Sequence, residues 1–175
     1  MKQISTLILS GIILLQLSSC LSSQAISKAT YIIHEAVFLP KEKITNLAIV
    51  AMSPEADKPT YLSIVERLQS SLSDKKIKSN QYVINADTNE DVVRNGFKET
   101  NLDYQLTIFP IKDQYVTDEL NNPTLSKQMY ILVQKNSGEK IAEISIGIDR
   151  DESASKLGSQ ISGIIFSYLK KKDLI

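Results

Sequence analysis

Side chains able to do covalent or metal chemistry are scarce in this chain of 175 residues, which holds one His, one Cys and no Trp. Nucleophilic catalysis of the Ser-His-Asp kind needs a base beside the nucleophile. His34 is the only imidazole, and no G-x-S-x-G turn presents a serine to it, so it reads as an ordinary, partly exposed residue. A zinc site takes three or four nitrogen or sulfur ligands, more than one His and one Cys supply. Asp149-x-Asp151-x-Ser153 has the opening spacing of a calcium loop, but Ala154 stands where the sharp turn wants Gly and Gln160 where the bidentate Glu belongs. Ser137-Gly138-Glu139-Lys140 lacks the leading glycine of a phosphate loop and sits in a predicted hairpin. Asp87, Glu90 and Asp91 could serve acid–base work on a glycan, but without an aromatic sugar platform they read as helix capping and solvation. No cofactor and no metal is implied.

The apolar pattern says which elements would hold these residues. Tyr31 to Leu39, closed by Pro40, is a short strand or an irregular segment. Leu47-Ala48-Ile49-Val50-Ala51-Met52 is a continuous apolar run, as expected of a central parallel strand covered on both faces. Tyr61, Val65, Leu68 and Leu72 then mark one face of a helix. Gln81-Tyr82-Val83-Ile84 follows as a strand, which completes a βαβ unit. Thr88 and Asp91 are spaced like a capping box before Val92, Val93 and Phe97, predicting a short second helix.

Leu102, Tyr104, Leu106 and Ile108 alternate with Asp103, Gln105 and Thr107, predicting a strand with one dry face. Pro110 removes a ladder donor and points to an edge or a bulge there. Lys112 to Ser126 shows no period and reads as a long irregular connection. Met129, Ile131 and Val133, then Ala142, Ile144, Ile146 and Ile148, form two strands joined by the turn residues Asn136-Ser137-Gly138-Glu139, an antiparallel hairpin. A last helix begins near Ser153 and carries Leu157, Ile161, Ile164, Tyr168 and Leu169, with Asp149, Asp151 and Glu152 near its positive pole. The class is α/β, with a mixed sheet in a single domain.

Composition limits the partners. Twenty Lys and Arg balance twenty Asp and Glu, and no basic stripe is spaced to neutralise phosphates, which argues against nucleic acid. Lys170-Lys171-Lys172 reads as a solvated helix end that offsets the negative pole of the dipole. The start of the chain is more specific. Lys2 precedes a mostly apolar run from Ile4 to Leu17, too short and too interrupted to span a bilayer permanently, and two serines then lead to the single cysteine.

Leu17-Ser18-Ser19-Cys20 resembles the bacterial lipoprotein box. That resemblance implies cleavage between Ser19 and Cys20, diacylglycerol on the Cys20 sulfur and acylation of its new amine. Residues 1–19 would then be the signal peptide, 20–29 the lipidated tether and 30–175 the domain. Leu21, where an Asp commonly retains such proteins in the inner membrane, implies the outer membrane with the domain in the periplasm. With Cys20 lipidated, the body has no thiol left for a disulfide.

The element order, together with Thr100-Asn101-Leu102-Asp103-Tyr104-Gln105-Leu106, resembles the envelope-lipoprotein domains related to the amino-terminal domain of TolB, among them the lipoprotein activators of penicillin-binding proteins. Asp103, Tyr104 and Leu106 occupy the matching positions; Leu102 and the absence of Trp depart from the pattern. The resemblance implies a non-enzymatic binding or adaptor module for another envelope component. The alternatives are a structural subunit of a secretion or surface-assembly complex and a small cell-wall-modifying enzyme. Tyr115, Val116 and Leu120, set among Asp113, Asp118, Glu119 and Asn121, combine amphipathic anchors with a polar rim and are the expected partner-binding residues.

Overall fold

The computed structural model describes residues 30–39, 41–87, 89, 91, 102–117, 123–148 and 152–175. Seven strands and two long helices make up the domain among them: β1 (Thr30–Val37), β2 (Asn46–Ser53), α1 (Lys58–Ser73), β3 (Lys78–Asn85), β4 (Tyr104–Ile108), β5 (Lys112–Thr117), β6 (Pro123–Lys135), β7 (Lys140–Ile148) and α2 (Ala154–Lys171). The strands join in one mixed sheet of order β1-β7-β6-β4-β2-β3, with β5 on β6 outside that path.

The apolar run of β2 is buried along its length because parallel neighbours flank it and both of its faces are covered. It lies one strand in from the β3 edge, not at the centre as its composition suggests. Burial reports how many faces are dry, and the strands added by β6, β7 and β1 all fall on one side. The β2-α1-β3 unit forms as the spacing predicts, with Tyr61, Ile64, Val65, Leu68 and Leu72 buried beneath α1. Pro59 falls in the first turn of α1, where its missing N–H costs nothing.

Helix α2 starts after Ser153 and buries Leu157, Ile161, Ile165, Tyr168 and Leu169. Ile164, expected on that stripe, is only partly buried, and Ile165 takes the core position. Both helices pack on one face of the sheet and touch each other. A Cβ on Gly158 of α2 would lie 2.6 Å from Ser63 Cβ of α1, so the missing side chain lets the two backbones approach. The predicted second helix lies outside the described residues, apart from Asn89 and Asp91.

Two expectations on the other strands are corrected. Within the stretch from Lys112 to Ser126, expected to be an irregular connection, 112–117 and 123–126 are strand: β5 pairs antiparallel with β6 from Lys112 opposite Gln128 to Thr117 opposite Pro123. Pro110 closes β4, and the Tyr61 hydroxyl accepts the Ile111 N–H at 2.9 Å, which re-aims the chain so that β5 starts alongside β6. This pairing is set by cross-strand hydrogen bonds, which leave no apolar period in a polar hairpin. Nor does β4 have a wet face. Gln105 and Thr107 are fully buried, and the Gln105 amide donates to Thr107 Oγ1 at 2.8 Å. They sit level with Ala48 and Val50 of β2, in a second apolar cluster that also contains Met52, Leu102, Phe109 and Leu132.

The β6–β7 hairpin forms as predicted. β1 is a strand and, among the described residues, pairs only with β7, which makes it an edge there.

A candidate site on the open face of the sheet

Register places alternate residues of β1, β6 and β7 on the face away from the helices. Tyr130 lies opposite Ser145, Leu132 opposite Glu143, Ser145 opposite His34 and Gly147 opposite Tyr31. Leu132 belongs to the second apolar cluster, so its neighbours mark where that cluster gives way to polar groups.

Glu143 is the centre of this polar patch, with only 17% of its side chain exposed. The Tyr130 hydroxyl donates to its Oε2 at 2.6 Å. His34 Nε2 approaches Oε1 at 3.5 Å and Lys140 Nζ approaches Oε2 at 3.6 Å. The Tyr130 hydrogen bond, against the opposing effect of burial, holds the Glu143 carboxyl below its ordinary range, with Lys140 adding to the shift. A fixed negative charge therefore sits on a half-buried floor at neutral pH.

Tyr31 borders the patch and lies against Gly147: a Cβ there would meet its ring at 2.6 Å. His34 is 58% exposed and rims the site. Such a surface can receive a cation or hydrogen-bond donors. It does not assemble a triad: among the described residues no hydrogen bond joins Ser145 to His34, although the register sets them opposite each other.

Two further clusters brace the sheet. Tyr104 donates to Glu42 at 2.7 Å and Lys135 Nζ lies 3.2 Å from the same carboxylate, so the Tyr104 hydrogen bond keeps the Glu42 carboxyl low. Asn46 and Asp103 clamp the starts of β2 and β4: the Asn46 amide donates to Asp103 Oδ2 at 2.6 Å and its oxygen accepts the Asp103 N–H. Asp103 and Tyr104, the residues behind the resemblance to TolB-related domains, thus both act as structural ties here. At the far side, Lys172 Nζ reaches Glu35 at 2.6 Å and lies over the Tyr168 ring. Burial raises the Tyr168 phenol to about 12 while its hydroxyl donates to the Ala36 carbonyl at 2.8 Å. Lys170 and Lys171 are exposed at the helix end, as expected, but Lys172 is tied down.

A small cavity at the carboxyl ends of the parallel strands β2 and β3 is lined by Ser53, Glu55, Lys58, Val83, Ile84 and Asn85. Parallel sheets often bind ligands at such a crevice. Its volume of about 90 Å³ is well below the roughly 300–1,000 Å³ of small-molecule sites.

The residues singled out in the sequence fall elsewhere. Ser19, Cys20 and Leu120 lie outside the described residues, as do Asp149 and Asp151. Tyr115 and Val116 belong to β5, opposite Leu125 and Thr124 of β6, and are not brought to the Glu143 patch. Glu143 and Tyr130 were missed in the sequence, although a usable signal exists. Turn residues 136–139 set the hairpin register, and both side chains have the outward parity of their strands.

No protein-family model matches the chain, and no curated protein matches it. Solved structures do. The PelC dodecamer from Paraburkholderia phytofirmans is similar at 12% identity over 78% of this chain and 95% of that one, with a TM-score of 0.46. A minor lipoprotein from Acinetobacter baumannii is similar at 11% identity over 71% of this chain and 94% of that one, with a TM-score of 0.34.

Proposed function

We propose that the chain is a lipid-anchored envelope lipoprotein whose α/β domain, of the kind related to the amino-terminal domain of TolB, binds another envelope component without catalysing a reaction. The observation that carries this reading is Leu17-Ser18-Ser19-Cys20 at the end of a short apolar run. Cys20 holds the lipid, the outer membrane is the compartment, and the domain hangs in the periplasm. Two or three acyl chains make such an anchor stable, where a single chain anchors only marginally. In this reading Tyr115, Val116 and Leu120 are the partner-binding residues, the first two belonging to β5.

The test is Cys20→Ser. The variant accumulates as an unprocessed precursor and takes up no labelled palmitate; normal processing with normal labelling overturns the proposal. Cross-linking in native membranes followed by mass spectrometry then identifies the partner.

A further inference from the structure

Three of the four exposed large hydrophobic residues described lie on β1 or directly after it: Ile32 at 41%, Ile33 at 42% and Phe38 at 47% exposure. The fourth, Leu62, is on α1. These side chains do not form one continuous stripe: Ile32 lies opposite Ile146, Ile33 sits at a shift in the ladder and Phe38 follows the strand, so what they share is the free edge of β1.

A second copy of the chain pairing edge to edge fits poorly. The β1 register shifts between Ile32 and His34, which leaves Ile33 as a bulge in the ladder that an added strand would have to match. Bulged edges resist strand addition.

The position of β1 in the chain favours a different occupant. Thr30 is ten residues beyond Cys20, a reach of at most about 36 Å even when fully extended. β1 is therefore the element joined to the anchor by the shortest length of chain, and tethering raises the local concentration of lipid surface around it. The chemistry beside Phe38 suits that surface. Lys140 Nζ lies 5.7 Å from the centre of the Phe38 ring, and exposed Lys41 follows three residues on. An aromatic ring beside an amine is a pairing found where protein meets lipid headgroups: the ring enters the interface and the cation meets phosphate.

We infer that the β1 edge, through Ile32, Ile33 and Phe38 with Lys41 and Lys140, rests on the phospholipid surface and fixes the orientation of the domain on the membrane. This inference rests on lipidation of Cys20. The same contact leaves the opposite edge, β3, directed away from the bilayer.

The chain has no Trp, so Phe38→Trp introduces a single reporter. The full chain is processed in an envelope-bearing host, purified in detergent and returned to vesicles of phosphatidylethanolamine and phosphatidylglycerol containing brominated acyl chains. Ile33→Trp is a second reporter in case the first perturbs folding, and Leu62→Trp is the control remote from β1. The expected result is blue-shifted emission and bromine quenching at positions 38 and 33, with position 62 unquenched. Equal quenching at all three positions, or none at 38 and 33 in protein whose mass shows lipid on Cys20, overturns the inference and leaves the lipoprotein reading standing. Protein whose mass shows no lipid on Cys20 overturns both.

Discussion

The two faces of the sheet are built from the same strands and meet different ends. On the helix side, Ile49, Leu106, Ile131 and Ile144 lie in one continuous core with Ile64 and Leu68 of α1 and Ile161 and Ile165 of α2. On the other side the apolar cluster is small, spans β2, β4 and β6, and stops at Leu132. Beyond it the same face carries Glu143, Tyr130, Ser145 and His34. The helix side is specified by apolar burial, which is non-directional and tolerant. The open side is specified by hydrogen bonds around one carboxylate, which are directional and depend on pH. One face is closed by the two helices, and the other carries a carboxylate held by its hydrogen-bond partners.

Disturbing the helix side should produce the largest effect. Ile161→Asp places a charge in a fully buried position between α2 and the sheet, and is expected to cost about 4 kcal/mol or more, enough to prevent folding of a marginally stable domain. Circular dichroism melts check this, and a parent-like transition would mean that α2 is oriented differently. On the opposite face, Phe109→Ala removes a buried ring that lies 5.5 Å, centre to centre, from Tyr130. Its expected cost is about 3 kcal/mol, read from urea midpoints. A negligible change would show that the second cluster contributes nothing to stability.

Tyr130→Phe sharpens the comparison because it removes one hydrogen bond to a charged group and little volume, with an expected cost of about 1.5 kcal/mol at neutral pH. The Glu143 carboxyl is held low in the folded protein, so its contribution is fully present above the ordinary carboxylate pKa. That contribution is lost as pH falls through the lowered value. The gap between parent and Tyr130→Phe should therefore be widest at pH 7 and close on acidification below the carboxylate range. A gap that stayed constant with pH would detach Tyr130 from the Glu143 charge. His34→Ala should be the mildest change, within about 0.5 kcal/mol, because its contact with Glu143 is 3.5 Å long and the imidazole is mostly exposed. A larger loss in the same urea melts would give His34 a structural role that its geometry does not.

The core was legible where apolar residues repeat at the period of their own element. Tyr61, Val65, Leu68 and Leu72 mark the buried stripe of α1, and Leu157, Ile161 and Tyr168 mark that of α2. The continuous run of β2 and the turn residues between β6 and β7 were equally direct. Each of these signals is local: the pattern and the element it predicts occupy the same few residues. β5 left no such signal. Its strand state comes from hydrogen bonds to β6, and Lys112, Asp113 and Gln114 carry no period that would announce them.

Gln105 and Thr107 misled for the opposite reason. Their polarity predicts solvent, and only the arrival of Leu102, Phe109 and Leu132 on that face, with an internal hydrogen bond between the two side chains, makes their burial tolerable. By itself the sequence determined the α/β class and the helix-facing stripes, because each is written in short-range spacing, and the resemblance of Leu17-Ser18-Ser19-Cys20 to a lipoprotein box is local in the same way. The tertiary structure alone decided the strand order, the edge position of β1 and the meeting of Tyr130, Glu143 and His34. Those depend on which distant strands become neighbours, and pairing across a sheet is set by long-range register that no local period encodes.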